Sequence, residues 1–202
     1  NSEITNNDIS YWDKYTGKFI FSIGTSKLLE YPIRNLSIEI NKEQNDYLLN
    51  SANATFPGNT NIKVDGLFKN KFSIFEGSAD LESENIRDFY RWLSIDLNNI
   101  SDTRLKKANL DSEVVFRKGG ATFAGIKGKI DSSNINGEIR LRFGDINTAF
   151  AKLKIDSLNL DPYINTSEIS ENNNINKTNL LNFDIMNFDL ELDNLLLFKN
   201  KY

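Results

Sequence analysis

The sequence lacks two residue types that carry much of enzyme chemistry, because it contains no cysteine and no histidine. Without cysteine, disulfides, thiol catalysis and cysteine-based metal sites are excluded. Without histidine, the commonest general base and the commonest metal ligand are missing, and only carboxylates, lysine, tyrosine and hydroxyl groups remain for chemistry. The composition therefore predicts a protein that is not an enzyme, with no catalytic residues, no metal site and no cofactor.

Long hydrophobic runs and an excess of positive charge are also missing. No apolar segment approaches the roughly 20 residues that a membrane-spanning helix needs, and the chain begins at Asn1 without a recognisable signal peptide. The net charge is −4, and lysine and arginine are interspersed with acids, so nucleic acid is not an expected partner. We expect the chain to be a fragment or a processed piece of a longer protein whose targeting segment lies outside it.

The dominant pattern that is present is the alternation of apolar and polar residues, which is the period of a β-strand. On the clearest strand, Ile139 and Leu141 alternate with Arg140 and Arg142. The pattern predicts about ten strands with one apolar face each, joined antiparallel by turns such as Gly119-Gly120 and 131–134. The apolar positions of the later strands, which should share one face of the sheet, are Leu110, Val114, Phe116, Ile135, Ile139, Leu141, Phe143, Leu153, Ile155, Phe188, Leu190 and Leu192.

Two segments depart from this pattern. Ile86, Phe89, Tyr90 and Leu93 have helical spacing, with Ser83 as a candidate N-cap, and this predicts one short amphipathic helix near residues 84–95. Packing on the sheet is the preferred role for its aromatic residues, with contact to a membrane interface as the alternative. Residues 165–179 are polar and carry too few apolar groups to pack, so we expect a mobile loop there.

Curvature of the sheet is indicated by a change in the alternation and by several glycines. Phe72 and Ile74 fall on one face while Phe75, Ala79 and Leu81 fall on the other, so a bulge or bend is predicted near Ile74–Phe75. The glycines expected to permit bends or a close approach between strands are Gly125, Gly128 and Gly137.

A sheet of about ten strands with one apolar face needs a cover that a single short helix does not provide, so the sheet must curl on itself. In one solution, a closed sandwich or filled barrel, the apolar face is simply the core. In the other solution, a folded-over sheet holds an apolar ligand in its interior. Alternation indicates burial without identifying what covers the face. A transmembrane β-barrel is disfavoured because several strands are short and aromatic girdles are not evident.

Five segments carry recognisable motifs, and they are residues 75–83, 85–93, 108–114, 130–141 and 153–163. They include a helix that ends in a Trp-Leu pair, a hairpin with a glycine in mid-strand and a strand that closes in Leu-Asp-Pro-Tyr. In their order and spacing these segments resemble the AsmA family, and the resemblance covers roughly residues 70–164, about half of the chain.

The resemblance implies a mostly β protein in which residues 1–202 form a segment of an AsmA-like β-groove domain. The expected fold is a curled antiparallel sheet, a taco-like groove or half-barrel, in the periplasm, anchored to the bacterial inner membrane through a segment outside this chain. The apolar face would bind phospholipid acyl chains and support phospholipid transport between the inner and outer membranes and outer-membrane assembly and integrity. Outer-membrane or periplasmic proteins would be further partners. The alternative function is a secreted β-sandwich adhesin or binding module with a sealed core.

Overall fold

A computed structural model describes residues 16–28, 30–43, 46–70, 72–95, 97, 100–159 and 183–196. Within these ranges the chain forms ten β-strands and one short α-helix. The elements are β1 (Gly17–Leu28), β2 (Tyr31–Glu43), β3 (Asp46–Phe56), β4 (Thr60–Lys69), β5 (Ile74–Ser83), α1 (Ile86–Trp92), β6 (Ala108–Arg117), β7 (Gly120–Ile130), β8 (Ser133–Arg142), β9 (Thr148–Asn159) and β10 (Ile185–Leu196). The predicted mobile loop at 165–179 lies outside the described residues.

All ten strands form one sheet in sequence order, and this sheet does not close into a barrel. The predicted fold class, mostly β with a curled sheet and a single short helix, is therefore confirmed. Every neighbouring pair from β1 to β9 is antiparallel. β10 is parallel to β9, which corrects the prediction of a wholly antiparallel sheet. The connection between them, residues 160–184, exceeds the dozen or so residues that a parallel crossover needs.

The burial of Val114, at the centre of the sheet, indicates that the sheet is curved. Val114 lies on β6, with several strands on each side, and only 1% of its surface is exposed. Leu49 and Phe75, from β3 and β5, pack in the same cluster. A flat single layer would leave such a side chain open on its own face, so the sheet must fold over it. Register shifts in the β2–β3, β3–β4, β6–β7 and β7–β8 pairs supply local bends of the kind that curl a sheet.

Glycines permit the closest approaches between strands. Gly66 and Gly77 face each other across β4 and β5, and a Cβ on Gly77 would lie 2.0 Å from a backbone oxygen of the facing strand. Gly128 and Gly137 have the same constraint, with backbone oxygens 2.0 and 2.1 Å from an added Cβ. The predicted close approach of strands is therefore confirmed at these last two positions. Gly125 lies within the β7–β8 register shift, as a bend requires.

Helix α1 forms where helical spacing predicted it, but it starts differently and is shorter. Ser83 is not its N-cap, because Ser83 ends β5 and its hydroxyl shares a 2.7 Å hydrogen bond with that of Thr60. Asn85 occupies the N-cap position without a capping side-chain bond. Instead, the first two helical amides donate to the carbonyls of Lys106 and Leu105. The long segment after the helix therefore satisfies the donors that a capping side chain would otherwise serve.

Of the bulge or bend predicted near Ile74–Phe75, the bulge is wrong. β4 and β5 keep one register over their whole length, up to the pairing of Lys69 with Ile74. Phe72 lies instead in the preceding turn, where its φ of 69° directs the chain back toward the sheet. Its ring centroid is 5.0 Å from that of Phe68. The change in alternation therefore marks the end of a turn and not an irregular strand.

An apolar groove as the candidate functional site

One row of cross-strand neighbours crosses the entire sheet on a single face. Directly opposed residues project to the same face, so each successive pairing extends the row. Every member is apolar or glycine. The row consists of Phe19, Ile40, Leu49, Gly66, Gly77, Val114, Phe123, Ile139, Ala151 and Phe188.

Two further rows lie on the same face, one on each side of the first. Toward α1 the row is Ala54, Ile62, Leu81, Leu110, Gly128, Ile135, Ile155 and Leu192. Toward the opposite end the row is Phe68, Phe75, Phe116, Ala121, Leu141, Ala149 and Met186. Leu153 and Leu190 pair with each other on this face between the rows. The structure therefore brings eleven of the twelve predicted groove residues onto one face.

The twelfth predicted residue, Phe143, lies just beyond the end of β8 and not on the strand. Its ring stacks on that of Phe183, with the centroids 6.0 Å apart. Phe143 therefore belongs to the rim of the apolar face, at the end far from α1.

The opposite face of the sheet carries the charges. A representative row there is Lys63, Asp80, Asp111, Lys127, Asn136, Lys154 and Glu191. The Lys154 ammonium donates to Glu191 at 2.8 Å and lies 3.1 Å from Asp193, and these bonds raise the pKa of Lys154 above its ordinary value. No group of three or more acidic side chains in the described part of the chain is arranged to hold a metal ion. This charged face is consistent with a solvated surface.

Within the described part of the chain, the apolar face is covered in the middle and open along its two edges. Val114 at its centre is fully buried, whereas Phe19 on β1 and Phe188 on β10 are 62% and 63% exposed. Large apolar side chains this exposed, and contiguous with a buried face, indicate a surface adapted to an apolar partner.

Helix α1 closes one end of the groove. Trp92 packs in a buried cluster with Ile33 and Ala54, from β2 and β3. Its indole Nε1 donates to the carbonyl of Leu28 at 3.3 Å, and its ring lies 5.1 Å from that of Phe56. The prediction that the helix packs on the sheet is confirmed, and the helix covers this end of the groove.

No described residue covers the other end, which is lined with aromatic rings. Phe68 lies within 5.0 Å of both Phe72 and Phe75, measured between ring centroids, and Phe75 lies 5.9 Å from Phe116. These rings border a cavity of about 640 Å³. The residues that line it are Leu49, Ala52, Val64, Phe68, Phe72, Ser73, Phe75, Phe116, Arg117 and Lys118.

Several groove residues were missed by the sequence analysis because strict alternation fails at register shifts. On β3, Leu49 and Ala52 lie on the same face although they are three residues apart. On β7, Phe123 and Ile126 show the same spacing, also at a register shift. A search for apolar residues spaced by two, allowing one insertion of a residue per strand, would have found both strands.

The fold and the site together define a class of structure: an open, curled β-sheet with an apolar interior, closed at one end by a short helix. Comparisons with protein-family models, curated proteins and solved structures give no match. In the described ranges, no helix is long and apolar enough to span a bilayer.

Proposed function

We propose that the apolar face binds the acyl chains of phospholipids, and that the protein acts as a non-enzymatic lipid-binding groove. The observation that carries this proposal is the uninterrupted apolar row across ten strands, buried at its centre and exposed at both edges. A ligand that occupies the groove would cover these exposed edges.

The chemistry of the lining favours an acyl chain over a polar ligand. The three rows of the groove carry no hydrogen-bonding side chain, so a polar ligand would lose its water without gaining partners. An acyl chain gains about 0.8 kcal/mol for each methylene that it buries. Because this attraction is not directional, a chain can also slide along the groove without breaking specific bonds.

The dimensions of the groove suit a lipid. The strands contain 10 to 13 residues. At about 3.3 Å per residue the strands span roughly 33 to 43 Å. Helix α1 covers part of this length at one end. One leaflet of a bilayer core is roughly 15 Å thick, so acyl chains fit within the uncovered length.

The alternative, a sandwich with a sealed core, needs a second layer over the apolar face. The described residues supply one sheet and one short helix, and that helix covers only the end near Ile33 and Ala54. This arrangement favours the groove over the sandwich.

The cellular role is proposed from the resemblance to the AsmA family. The first four segments that carry the resemblance coincide with β5, α1, β6, and the β7–β8 turn with β8, and the described part of the fifth, residues 153–159, lies on β9. We propose a periplasmic module, anchored to the inner membrane by a segment outside this chain, that supports phospholipid movement between the two membranes and outer-membrane integrity. Outer-membrane or periplasmic proteins are its proposed protein partners.

Native mass spectrometry of the purified chain tests lipid binding directly. We expect additional mass corresponding to one or more phospholipids, and organic extraction should release the same lipids for identification. The protein should also take up phospholipid when apoprotein is incubated with vesicles. A chain that carries no lipid after purification and takes up none from vesicles would contradict the proposal and leave the sealed module as the better explanation.

A further inference from the structure

Three exposed aromatic rings lie together at the open end of the groove. Phe72 is in the β4–β5 turn, Phe116 precedes the β6–β7 turn and Phe143 begins the β8–β9 turn. Alternate turns of an antiparallel sheet lie at the same end, so these three positions are neighbours along one rim. Their exposed fractions are 53%, 40% and 42%. Ile146, in the same turn as Phe143, is exposed as well.

Three exposed cations flank these rings. Arg117 and Arg142 are both cross-strand partners of Gly120, so they lie on one row two strands apart, and Lys118 occupies the turn beside them. Among the described residues, none of the three makes a direct salt bridge.

The acidic groups beside these three turns offset the cations only in part. Glu76 is held by Lys69, although Arg117 is close enough to help lower its pKa. Asp184 accepts a hydrogen bond from the backbone amide of Asn147, and Asp145 is exposed in the β8–β9 turn. Along the β4–β5, β6–β7 and β8–β9 turns, the three cations therefore outnumber the two acids without a salt bridge, Asp145 and Asp184, by one charge, in a chain whose net charge is −4.

We propose that this rim, formed by Phe72, Phe116, Phe143, Arg117, Lys118 and Arg142, docks on the surface of an anionic lipid bilayer. Phenylalanine rings can bury their apolar surface at the boundary between headgroups and acyl chains. Lysine and arginine are attracted to the negative surface of such a bilayer. A combination of exposed rings and unpaired cations fits this surface better than a purely apolar or purely acidic partner. Docking would place the open end of the groove against the membrane.

This docking surface goes beyond the proposed lipid-binding function, because its cations lie outside the three apolar rows. Sedimentation of the chain with vesicles measures docking, whereas native mass spectrometry measures lipid in the groove. The two proposals can therefore fail separately.

The test uses the chain with large vesicles of phosphatidylcholine alone, or of phosphatidylcholine with about one-third phosphatidylglycerol. We expect sedimentation with the anionic vesicles only. Raising the salt concentration from about 0.1 M to about 1 M shortens the screening length from about 10 Å to about 3 Å, and should release most of the protein.

Two sets of variants locate the surface. The triple variant Arg117→Gln, Lys118→Gln and Arg142→Gln should bind anionic vesicles about a hundredfold more weakly, at about fivefold for each charge. The matched control, Lys106→Gln, Lys107→Gln and Lys129→Gln, removes the same charge from exposed positions at the α1 end and should bind like the wild type.

A further variant, Phe72→Asn, tests the apolar part of the rim. Asparagine tolerates the positive φ at this position, so the turn should keep its shape while the ring is lost. Vesicle binding should weaken and should remain weaker at high salt, because an apolar contact is not screened.

Three results would overturn the proposal. They are failure of the wild type to bind anionic vesicles, equal binding to both vesicle types, and equal loss in the rim and control triples. The first result would leave an acidic protein surface as the better partner for the rim. A thermal melt of each variant ensures that loss of binding is not loss of fold.

Discussion

Leu141 is the residue at which an open groove and a sealed core should respond most differently to substitution. It lies on β8 between Ala121 and Ala149, half-buried, toward the open end. In an open groove, the guanidinium of a Leu141→Arg variant can reach the opening while its stem obstructs acyl chains. We expect the variant to fold, with a melting temperature close to that of the wild type, and to retain much less lipid in native mass spectrometry.

The control for this experiment is Arg140→Leu, on the charged face of the same strand. Arg140 is exposed and forms a salt bridge with Glu138 at 2.6 Å, an interaction worth at most about 1 kcal/mol at a surface. This variant should keep both fold and lipid. If Leu141→Arg instead loses several kcal/mol and unfolds, as a charge buried in a sealed core would require, and the wild type carries no lipid, the groove is disproved.

Arg87 organises the segment that follows α1. Its side chain is almost completely buried, and its guanidinium donates to the carbonyls of Ile100, Ser101 and Arg104 at 3.0, 2.9 and 3.2 Å. A lysine ammonium lacks the planar array of N–H donors with which the guanidinium reaches three carbonyls. We expect Arg87→Lys to lower the free energy of unfolding by about 2 kcal/mol, because buried carbonyls lose their donors.

Differential scanning calorimetry measures this loss, which corresponds to a fall of roughly 4–8 °C in Tm for a chain of this size. Arg91→Lys is the matched control, because Arg91 is an exposed residue of the same helix whose contacts are surface salt bridges. A Tm for Arg87→Lys that is indistinguishable from that of the control would show that the segment needs no guanidinium.

At the scale of elements, Trp92 is a major contact between helix α1 and the sheet. Trp92 contacts β2 and β3 through Ile33 and Ala54, and its ring lies 5.1 Å from that of Phe56. Trp92→Ala should lower the free energy of unfolding by about 3–5 kcal/mol, which is typical of a large buried aromatic residue. Urea denaturation followed by circular dichroism measures the loss without relying on tryptophan fluorescence.

Trp92→Phe provides the graded comparison for the same element. A phenyl ring keeps most of the packing and loses the 3.3 Å hydrogen bond to the carbonyl of Leu28, so the loss should be about 1–2 kcal/mol. Equal losses in the two variants would mean that the hydrogen bond, and not the packing, attaches the helix.

At the scale of the whole molecule, stability should depend on pH only toward the acid and alkaline extremes. Hydrogen bonds from Lys18, Lys69 and Asn134 lower the pKa values of Glu39, Glu76 and Asp156 respectively. A carboxylate with a lowered folded pKa stabilises the fold above its unfolded value and loses this effect as pH falls through the folded pKa. We therefore expect Tm to fall as pH drops below 4.5, the ordinary value for glutamate.

The contribution of Lys154 to stability depends on pH in the opposite direction. Its raised pKa adds stability below its ordinary value of 10.5, and this contribution is lost as pH rises through the folded pKa. Since the chain has no histidine, Tm should be nearly constant between about pH 6 and 8. Thermal melts across the pH range measure both limits, and a marked change in Tm near neutrality would contradict this account.

The sequence by itself determined the strands, the turns and the apolar face. Alternation on β6, β8, β9 and β10 placed residues such as Leu110, Ile139 and Ile155 on one side, because side-chain direction in a strand depends only on local backbone geometry. The helical spacing of Ile86 and Phe89 located α1 for the same reason. Short turns made neighbouring strands antiparallel from β1 to β5 and from β6 to β9, since a few residues can only reverse the chain.

Only the tertiary structure decided what depends on distant parts of the chain. The direction of β10 depends on where a long connection returns, and the shared face of Leu49 and Ala52 depends on a register shift against neighbouring strands. Ser83 binds Thr60 instead of capping the helix because β4 lies beside it. The openness of the groove is likewise a property of curvature. Alternation in the sequence shows which face of the sheet is apolar. The curl of the sheet decides which residues of that face are covered, such as Val114, and which are exposed, such as Phe188.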